Sequence, residues 1–464
     1  MTSDVIVVGG GPCGLLTALL LARQGINTLL LEKHLHILQH PKAMGITARS
    51  AEIFRQIGLL DVIKTAGIEQ SVDTVSQWLK GGLNGELLGQ SGKPRSDNRF
   101  SPCTSLHCPQ PHIESVLRKA LADSTHVTAL YGAHVQGFKQ TPDHVQIEFE
   151  LNGQQQTAST HYLVAADGDQ SFIRRRLGIE RDGPGELGRF LSVYFKAEFG
   201  DELDGRLAYL SNVLGDDWFE LFVAVNGKDQ WLMHHYLEGD ETASQYNTQM
   251  VVELIRKASG FKNATIEIIS MNPWVMSPAV AQRWRDLRVF LVGDAAARVS
   301  PAGGLGMNNG LQSAHNLAWK LAHVISGYQS ETLLDSYEAE RLPAAQFTYQ
   351  NSSGNANETF GIVMAALSGQ WTRAQEMINQ SRRAGTGWGQ DFGIVYHSGA
   401  VLPDGSDEQL ARDPVNDYIE QARPGHRAPL FDVIVNGQSC NSLDLSGYRF
   451  VGWLGKKANP SAFK

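Results

Sequence analysis

The N-terminus contains two apolar runs separated by a glycine-rich turn. Residues 5–8 form a short β-branched run, which is typical of a buried parallel strand. A glycine turn and a helix-like stretch over residues 12–24 follow, and residues 28–31 form the second apolar run. This order of strand, turn, helix and strand predicts a βαβ unit.

Two later regions repeat this pattern, and the sequence between them differs. Residues 161–179 and 288–322 each place an apolar strand before an Asp-containing turn and a helix. Residues 185–284 instead alternate apolar and polar positions, which indicates half-buried antiparallel strands. Residues 71–100 are similarly mixed. The pattern predicts an α/β fold in which a discontinuous Rossmann-like domain carries an inserted mixed or antiparallel β-sheet domain, followed by a helical C-terminal region.

These changes of pattern suggest the domain boundaries. The nucleotide-binding domain with its C-terminal helices is assigned to residues 1–70, 107–184 and 285–400, the inserted substrate-binding sheet domain to 71–106 and 185–284, and a C-terminal extension to 401–464.

Composition narrows the class of protein. The formal net charge of −8 argues against a nucleic-acid partner, because phosphate binding requires a basic surface. None of the four cysteines forms a CxxC pair, so neither a disulfide framework nor a metal site is predicted. No apolar stretch is long enough to span a bilayer, and the N-terminus lacks a signal peptide's features. We expect a cytoplasmic monomer or homodimer without a membrane partner.

The first turn carries a dinucleotide-binding pattern. Gly9, Gly11 and Gly14 form GxGxxG directly after a strand and at the start of a helix. Such glycines allow a tight turn, close approach of a pyrophosphate and close packing of helix on strand. Glu32 ends the second strand, where a carboxylate accepts hydrogen bonds from a ribose, and Lys33 follows it. A glycine-rich turn without a ligand is the alternative, and the complete βαβ context disfavours it.

The two later turns distinguish FAD from NAD. Asp167 and Gly168 follow the second apolar strand, and Gly293 and Asp294 follow the third. With the N-terminal motif, this ordered set resembles the para-hydroxybenzoate hydroxylase family of single-component FAD-dependent monooxygenases. The phrases "CPQPHIESVLRKAL", "NLAWKLA" and "LLDSYEAERLP" are similar to family members in wording and place. Two positions depart from the family pattern, because Ala297 and Ser313 stand where His and Asp are common.

The resemblance implies a set of FAD contacts. They are Gly9, Gly11, Gly14, Glu32, Lys33, Arg49, Gln110, Val135, Asp167, Gly293, Asp294, Pro301, Gly304, Gly306, Met307 and Asn308. Among these, Asp294 matches the aspartate that binds the ribityl chain, and the loop over residues 301–308 matches the segment beside the isoalloxazine edge. Asp167, together with Arg174, is expected near the pyrophosphate and the groove where NAD(P)H lies.

The resemblance also implies a reaction. NAD(P)H reduces FAD, O₂ adds to form a flavin C4a-hydroperoxide, and one oxygen atom is delivered to an aromatic or polyketide-like small molecule. His234 and Tyr236, on one face of a predicted strand, are the candidate catalytic residues, with packing in the sheet as the alternative. Other interpretations are an epoxidase, a Baeyer–Villiger oxygenase or a reductase on the same scaffold, and a non-catalytic flavin-binding protein.

The end of the chain resembles the start of another unit. Residues 423–464 are similar to the opening of the thioredoxin-like domain that larger relatives carry, but they are too few to complete it. Cys440 has no partner at CxxC spacing, so a redox role is not expected there.

Overall fold

The structure is a computed structural model, and it describes residues 1–68, 73–91, 99–199, 203, 207–381, 385–445, 447 and 451. The helices are α1 (Pro12–Ala22), α2 (Ala48–Gln56), α3 (Leu60–Ala66), α4 (Gln110–Ala122), α5 (Phe172–Arg176), α6 (Thr248–Ser259), α7 (Gly306–Ile325), α8 (Asp335–Leu367), α9 (Trp371–Asn379) and α10 (Trp388–Phe392). The strands are β1 (Thr2–Val8), β2 (Thr28–Glu32), β3 (Gly45–Ile46), β4 (Asp73–Lys80), β5 (Glu86–Ser91), β6 (Leu106–His107), β7 (Val127–Tyr131), β8 (His134–Gln140), β9 (Val145–Leu151), β10 (Gln154–Ala165), β11 (Arg181–Asp182), β12 (Gly188–Ala197), β13 (Ala208–Leu214), β14 (Phe219–Ala224), β15 (Gln230–Leu237), β16 (Ile266–Met276), β17 (Ala279–Ala281), β18 (Arg285–Asp286), β19 (Val289–Leu291), β20 (Ala297–Arg298), β21 (Asp432–Val435) and β22 (Gln438–Asn441).

A mixed sheet with a parallel centre aligns the three motif turns. Within the described residues this sheet has eight strands. Six of them lie in the order β18-β19-β10-β1-β2-β7, while β9 pairs with β10 and β8 pairs with β9. β1 runs parallel to β2 and β10, and β10 runs parallel to β19. Parallel strands bring their carboxyl ends to one edge of the sheet. The turns after β1, β10 and β19 therefore meet there, although they are far apart in sequence.

Helices cover this sheet and complete its core. α1 packs against α4 and α7, and its residues from Gly14 to Ala22 are all buried. β1 is buried at Val5, Ile6 and Val7, which are each 0% exposed. Because helices cover both faces of this strand, none of its side chains faces solvent, which explains the continuous apolar run in the sequence.

A second sheet stands beside the first. Over the described residues it has seven strands, in the order β16-β12-β15-β14-β13-β4-β5, and all its pairs are antiparallel except that of β13 with β4. Alternate side chains such as Val193, Phe222 and Met233 pack against α6 in a separate apolar cluster. The other set of alternate positions faces away from α6, so this sheet has one face free to form the wall of a site.

The C-terminal segment packs against α2. Arg427 forms a buried ion pair with Glu52, and Arg55 forms an ion pair with Asp444 at 2.9 Å. β21 and β22 form a hairpin. Part of the predicted extension over residues 401–464 lies outside the described residues, namely 446, 448–450 and 452–464.

The predicted fold class is confirmed. The structure has mixed α/β architecture, with a mainly parallel sheet that carries the motif turns and a mainly antiparallel sheet inserted between its strands. The predicted domain segments include residues outside the described ranges, namely 69–72, 92–98, 200–202, 204–206 and 382–384. The boundaries themselves stay predictions. Across the described ranges, no helix has both the length and the apolar character needed to cross a membrane.

Candidate active site

One cavity connects the two sheets. The described residues enclose about 1890 Å³, and the walls come from the three motif turns, the free face of the second sheet and α8. Sites for a single small molecule typically measure roughly 300–1,000 Å³. The cavity therefore has room for a dinucleotide and a second molecule together.

The GxGxxG turn forms one end of this cavity. Gly9 has a φ of 108°, and a Cβ at this position would lie 2.2 Å from the Ala166 carbonyl oxygen. A Cβ on Gly14 would lie 1.9 Å from the Gly9 carbonyl oxygen, so helix α1 and the turn touch backbone to backbone. Gly11 differs, because no described atom lies within 4 Å of its Cβ position, which opens onto the cavity. The backbone at Gly11 is thus open to close approach by a ligand.

Glu32 is fixed at the end of β2. Its carboxylate accepts hydrogen bonds from the Gly10 amide and, at 2.7 Å, from the His34 amide. The side chain is 8% exposed and lies on the cavity wall, as does Lys33. A carboxylate oxygen can accept more than one hydrogen bond. Glu32 can therefore accept further hydrogen bonds from ligand hydroxyls without losing its amide contacts.

The DG and GD turns supply two further carboxylates. Asp167 accepts a hydrogen bond from the Ile173 amide at 3.1 Å, and burial raises the pKa of its carboxyl. Asp294 faces the cavity, and its surroundings raise its pKa through desolvation and then through the charge of Asp169. Arg298, from β20, forms an ion pair with Asp169 at 2.8 Å. This ion pair ties the two turns together at the cavity edge.

The loop before α7 is held by an asparagine side chain. Asn308 donates hydrogen bonds to the Gly45 carbonyl at 2.9 Å and the Gly304 carbonyl at 2.7 Å. Its Oδ1 accepts a hydrogen bond from the Thr47 amide at 2.9 Å. The side chain is 2% exposed and serves to join two loops. The N-terminus of α7 adjoins the cavity at Gly306, where helix amides favour negative charge.

Two histidines that the sequence reasoning missed lie at the sheet end of the cavity. His107 stacks on Tyr209 with ring centroids 3.7 Å apart. His40 bonds Ser192 at 3.0 Å and Ser270 at 2.8 Å, one through each ring nitrogen. Burial lowers the pKa of both imidazoles to about 4, so both are neutral at pH 7. No local motif marks these residues, because they come from separate loops and short strands.

The two predicted catalytic candidates occupy different environments. His234 lines the cavity, and burial, with a smaller contribution from His40, lowers its pKa to about 4. Tyr236 lies further along the same face of β15, is 36% exposed and packs edge-on against Phe190, off the cavity wall. His235, on the opposite face, bonds Glu220 instead.

The structure brings most of the predicted cofactor contacts together. Those on the cavity wall are Gly9, Gly11, Glu32, Lys33, Gln110, Val135, Asp167, Gly293, Asp294, Pro301, Gly304, Gly306 and Met307. Gly14, Arg49 and Asn308 lie off that wall. Arg49 forms an ion pair with Glu52 at 2.8 Å, and Arg174 donates to the Ile179 carbonyl at 2.6 Å. The cofactor roles of all these residues stay predictions.

Comparisons with known proteins agree with this geometry. The sequence model of the FAD binding domain family matches residues 2–352. The chain is 32% identical to 4-methyl-5-nitrocatechol 5-monooxygenase from a Burkholderia species, over 96% of this chain and 81% of the relative. It is also 32% identical to tetracenomycin A2 monooxygenase-dioxygenase from Streptomyces glaucescens, over 96% of this chain and 81% of that protein.

Solved structures give the same result. The flavin-dependent monooxygenase PieE, crystallised with FAD and substrate, superposes with a TM-score of 0.91 at 25% identity, over 97% of this chain and 84% of PieE. The predicted resemblance, the FAD cofactor and the assignment as a monooxygenase are thereby confirmed. The chain belongs to the FAD binding domain family.

Proposed function

We propose that this protein uses NAD(P)H, O₂ and FAD to hydroxylate an aromatic or polyketide-like small molecule. The observation that carries the proposal is the single cavity that joins the three motif turns to an aromatic- and histidine-lined sheet face. In such a cavity a flavin bound at the turns and a ring compound bound at the sheet occupy adjoining space. The relatives support the substrate class, since their names refer to a nitrocatechol and to tetracenomycin A2.

The residues at the turns fit FAD. The open Cβ position of Gly11 leaves room for a pyrophosphate beside backbone amides, and Glu32 offers carboxylate oxygens to a ribose. Asp294 would hold the ribityl chain, and the loop from Pro301 to Met307 would lie along the isoalloxazine edge. When bound, FAD supplies the redox chemistry, since it takes reducing equivalents from NAD(P)H and passes them to O₂.

The sheet end fits a flat ring compound that carries polar groups. Its wall combines apolar side chains such as Phe190, Trp274 and Leu232 with polar ones that include His107, Asn212 and His234. Apolar walls remove water from the ligand and strengthen the remaining polar contacts. Substrates of this shape would be held by ring contacts and oriented by a small number of hydrogen bonds.

The direct experiment measures flavin content and substrate-dependent turnover. Purified protein is expected to bind FAD and to consume NADH or NADPH faster when a suitable phenol from a panel of catechols and hydroxyanthraquinones is added. Mass spectrometry should find one added oxygen atom, labelled when the reaction runs under ¹⁸O₂. A protein that takes up no FAD, or that yields no oxygenated product with any compound that accelerates NAD(P)H consumption, would contradict the proposal.

A further inference from the structure

His234 presents a ring nitrogen to the cavity without a protein partner. Among the residues that the structure describes, neither of its ring nitrogens makes a hydrogen bond. Its Nδ1 is enclosed by protein, whereas Nε2 is not enclosed, and the residue lies on the cavity wall. Nε2 is therefore the nitrogen that a ligand can reach.

Neighbouring side chains hold this ring in place. On β12, Ser192 stands directly opposite His234 in the strand pairing, and Ser192 is already bonded to His40. Trp274, on β16, meets the His234 ring edge-on, with centroids 5.9 Å apart and planes at 84°. Phe190 stacks on Trp274 at 4.5 Å. The ring is thus fixed by packing and not by hydrogen bonds.

The enclosure of Nδ1 decides which nitrogen carries the proton. The pKa of His234 is lowered to about 4, mainly by burial, so the ring is neutral at pH 7 and carries one N–H. An enclosed N–H without an acceptor is rarer in proteins than an enclosed acceptor without a donor. The proton is therefore assigned to Nε2, which makes that nitrogen a hydrogen-bond donor aimed at the cavity.

We propose that the Nε2–H of His234 donates a hydrogen bond to a ring carbonyl oxygen of the aromatic substrate. The contact sets which edge of the ring system faces the sheet, so His234 determines specificity. This inference rests on the proposed function for the nature of the substrate. It concerns binding, however, and can be tested without turnover.

The experiment compares two ring compounds of the same size on oxidised, FAD-loaded enzyme without NAD(P)H. 2-Hydroxyanthraquinone carries ring carbonyls and 2-hydroxyanthracene lacks them, and Kd is measured from the change in flavin absorbance. His234→Phe keeps a ring but removes the donor. This variant is expected to weaken binding of the quinone roughly two- to tenfold, the range for loss of one neutral hydrogen bond. Its affinity for the anthracene should hardly change.

Two further variants separate recognition from structure. His234→Gln retains an N–H donor and should recover part of the affinity for the quinone. His161→Phe makes the same change at an exposed residue of β10 that is off the cavity wall, and both affinities should stay as in the wild type. Equal weakening of both compounds in His234→Phe, or no weakening of either, would overturn the inference. If the quinone preference depends on His234 but no product forms, the inference stands and the proposed reaction fails.

Discussion

Gly14→Ala and Gly11→Ala should affect different properties, stability in the first case and FAD affinity in the second, although the two glycines belong to one turn. A Cβ at Gly14 would lie 1.9 Å from the Gly9 carbonyl oxygen and 3.2 Å from the Ala166 Cβ. A Cβ at Gly11 meets no described atom within 4 Å and opens onto the cavity. Gly14→Ala therefore disturbs packing of the fold, whereas Gly11→Ala disturbs only what enters the cavity.

The contact distances set the size of each effect. The obstructing atom at Gly14 is backbone and cannot rotate away, so α1 must shift from β1. Overpacking of this kind costs roughly 1–3 kcal/mol and occasionally more, and we expect the upper end, about 3 kcal/mol. With roughly 2 °C of Tm per kcal/mol for a domain of about 250 residues, the apoprotein Tm should fall by about 6 °C.

Gly11→Ala should leave the apoprotein nearly as stable as the wild type. Gly11 is the N-cap of α1, a position where alanine is less favourable than glycine. Alanine also reduces the conformational entropy of the unfolded chain, which stabilises the folded state by about 0.4–1 kcal/mol and offsets this cost. The new methyl group faces the space assigned to the pyrophosphate. We expect FAD affinity to fall at least about tenfold, which corresponds to about 1.4 kcal/mol.

Thermal unfolding of both apoproteins and fluorescence titration with FAD provide the measurements. Apoprotein is needed because a bound ligand raises Tm by mass action and would mix the two effects. An unchanged Tm in Gly14→Ala would show that the helix moves freely at this contact. Wild-type FAD affinity in Gly11→Ala would show that the nucleotide does not approach the backbone there. Either outcome would refute the assignment of that glycine.

Three further changes test other parts of the structure. Arg427→Met removes an ion-pair partner from buried Glu52, and because Arg49 still pairs with this carboxylate the cost should be about 2 kcal/mol. The loss is measured as a lower urea midpoint, and an unchanged midpoint would mean that the Arg427 ion pair does not stabilise the fold. Burial alone would lower the pKa of His235, but its hydrogen bond to Glu220 and the charges of the nearby carboxylates together outweigh burial and raise it. Because the pKa is higher in the folded state, protonated His235 stabilises the fold fully below pH 6.5, and this stability is lost as pH rises through the folded pKa. His235→Gln should therefore flatten the decline of the urea midpoint between pH 6 and 8. An unchanged decline would assign it to other groups. Tyr236→Phe should leave kcat and KM within about twofold of wild type because Tyr236 lies off the cavity wall, and a large loss of kcat would place it in the reaction after all.

Much of the cofactor end could be predicted from the sequence because the features that form it lie within short stretches of the chain. A strand buried on both faces has a continuous apolar sequence, and the glycine that a tight turn requires can be read directly from the sequence. Gly9, Gly11 and Glu32 are therefore identifiable from spacing within one βαβ unit. The protein contacts of Arg49 with Glu52, and of Asn308 with two neighbouring loops, were not visible in the sequence because they depend on how separate segments pack.

The sequence by itself determined the mixed α/β class, the three strand-end turns and their shared ligand type. Only the tertiary structure decided what surrounds the sheet end of the cavity, where His40, His107 and His234 come from separate parts of the chain. Strand pairing set the neighbours of His234, and enclosure by packing set the low pKa of all three imidazoles. Pairing and enclosure depend on which distant segments meet, and no short stretch of sequence contains that information.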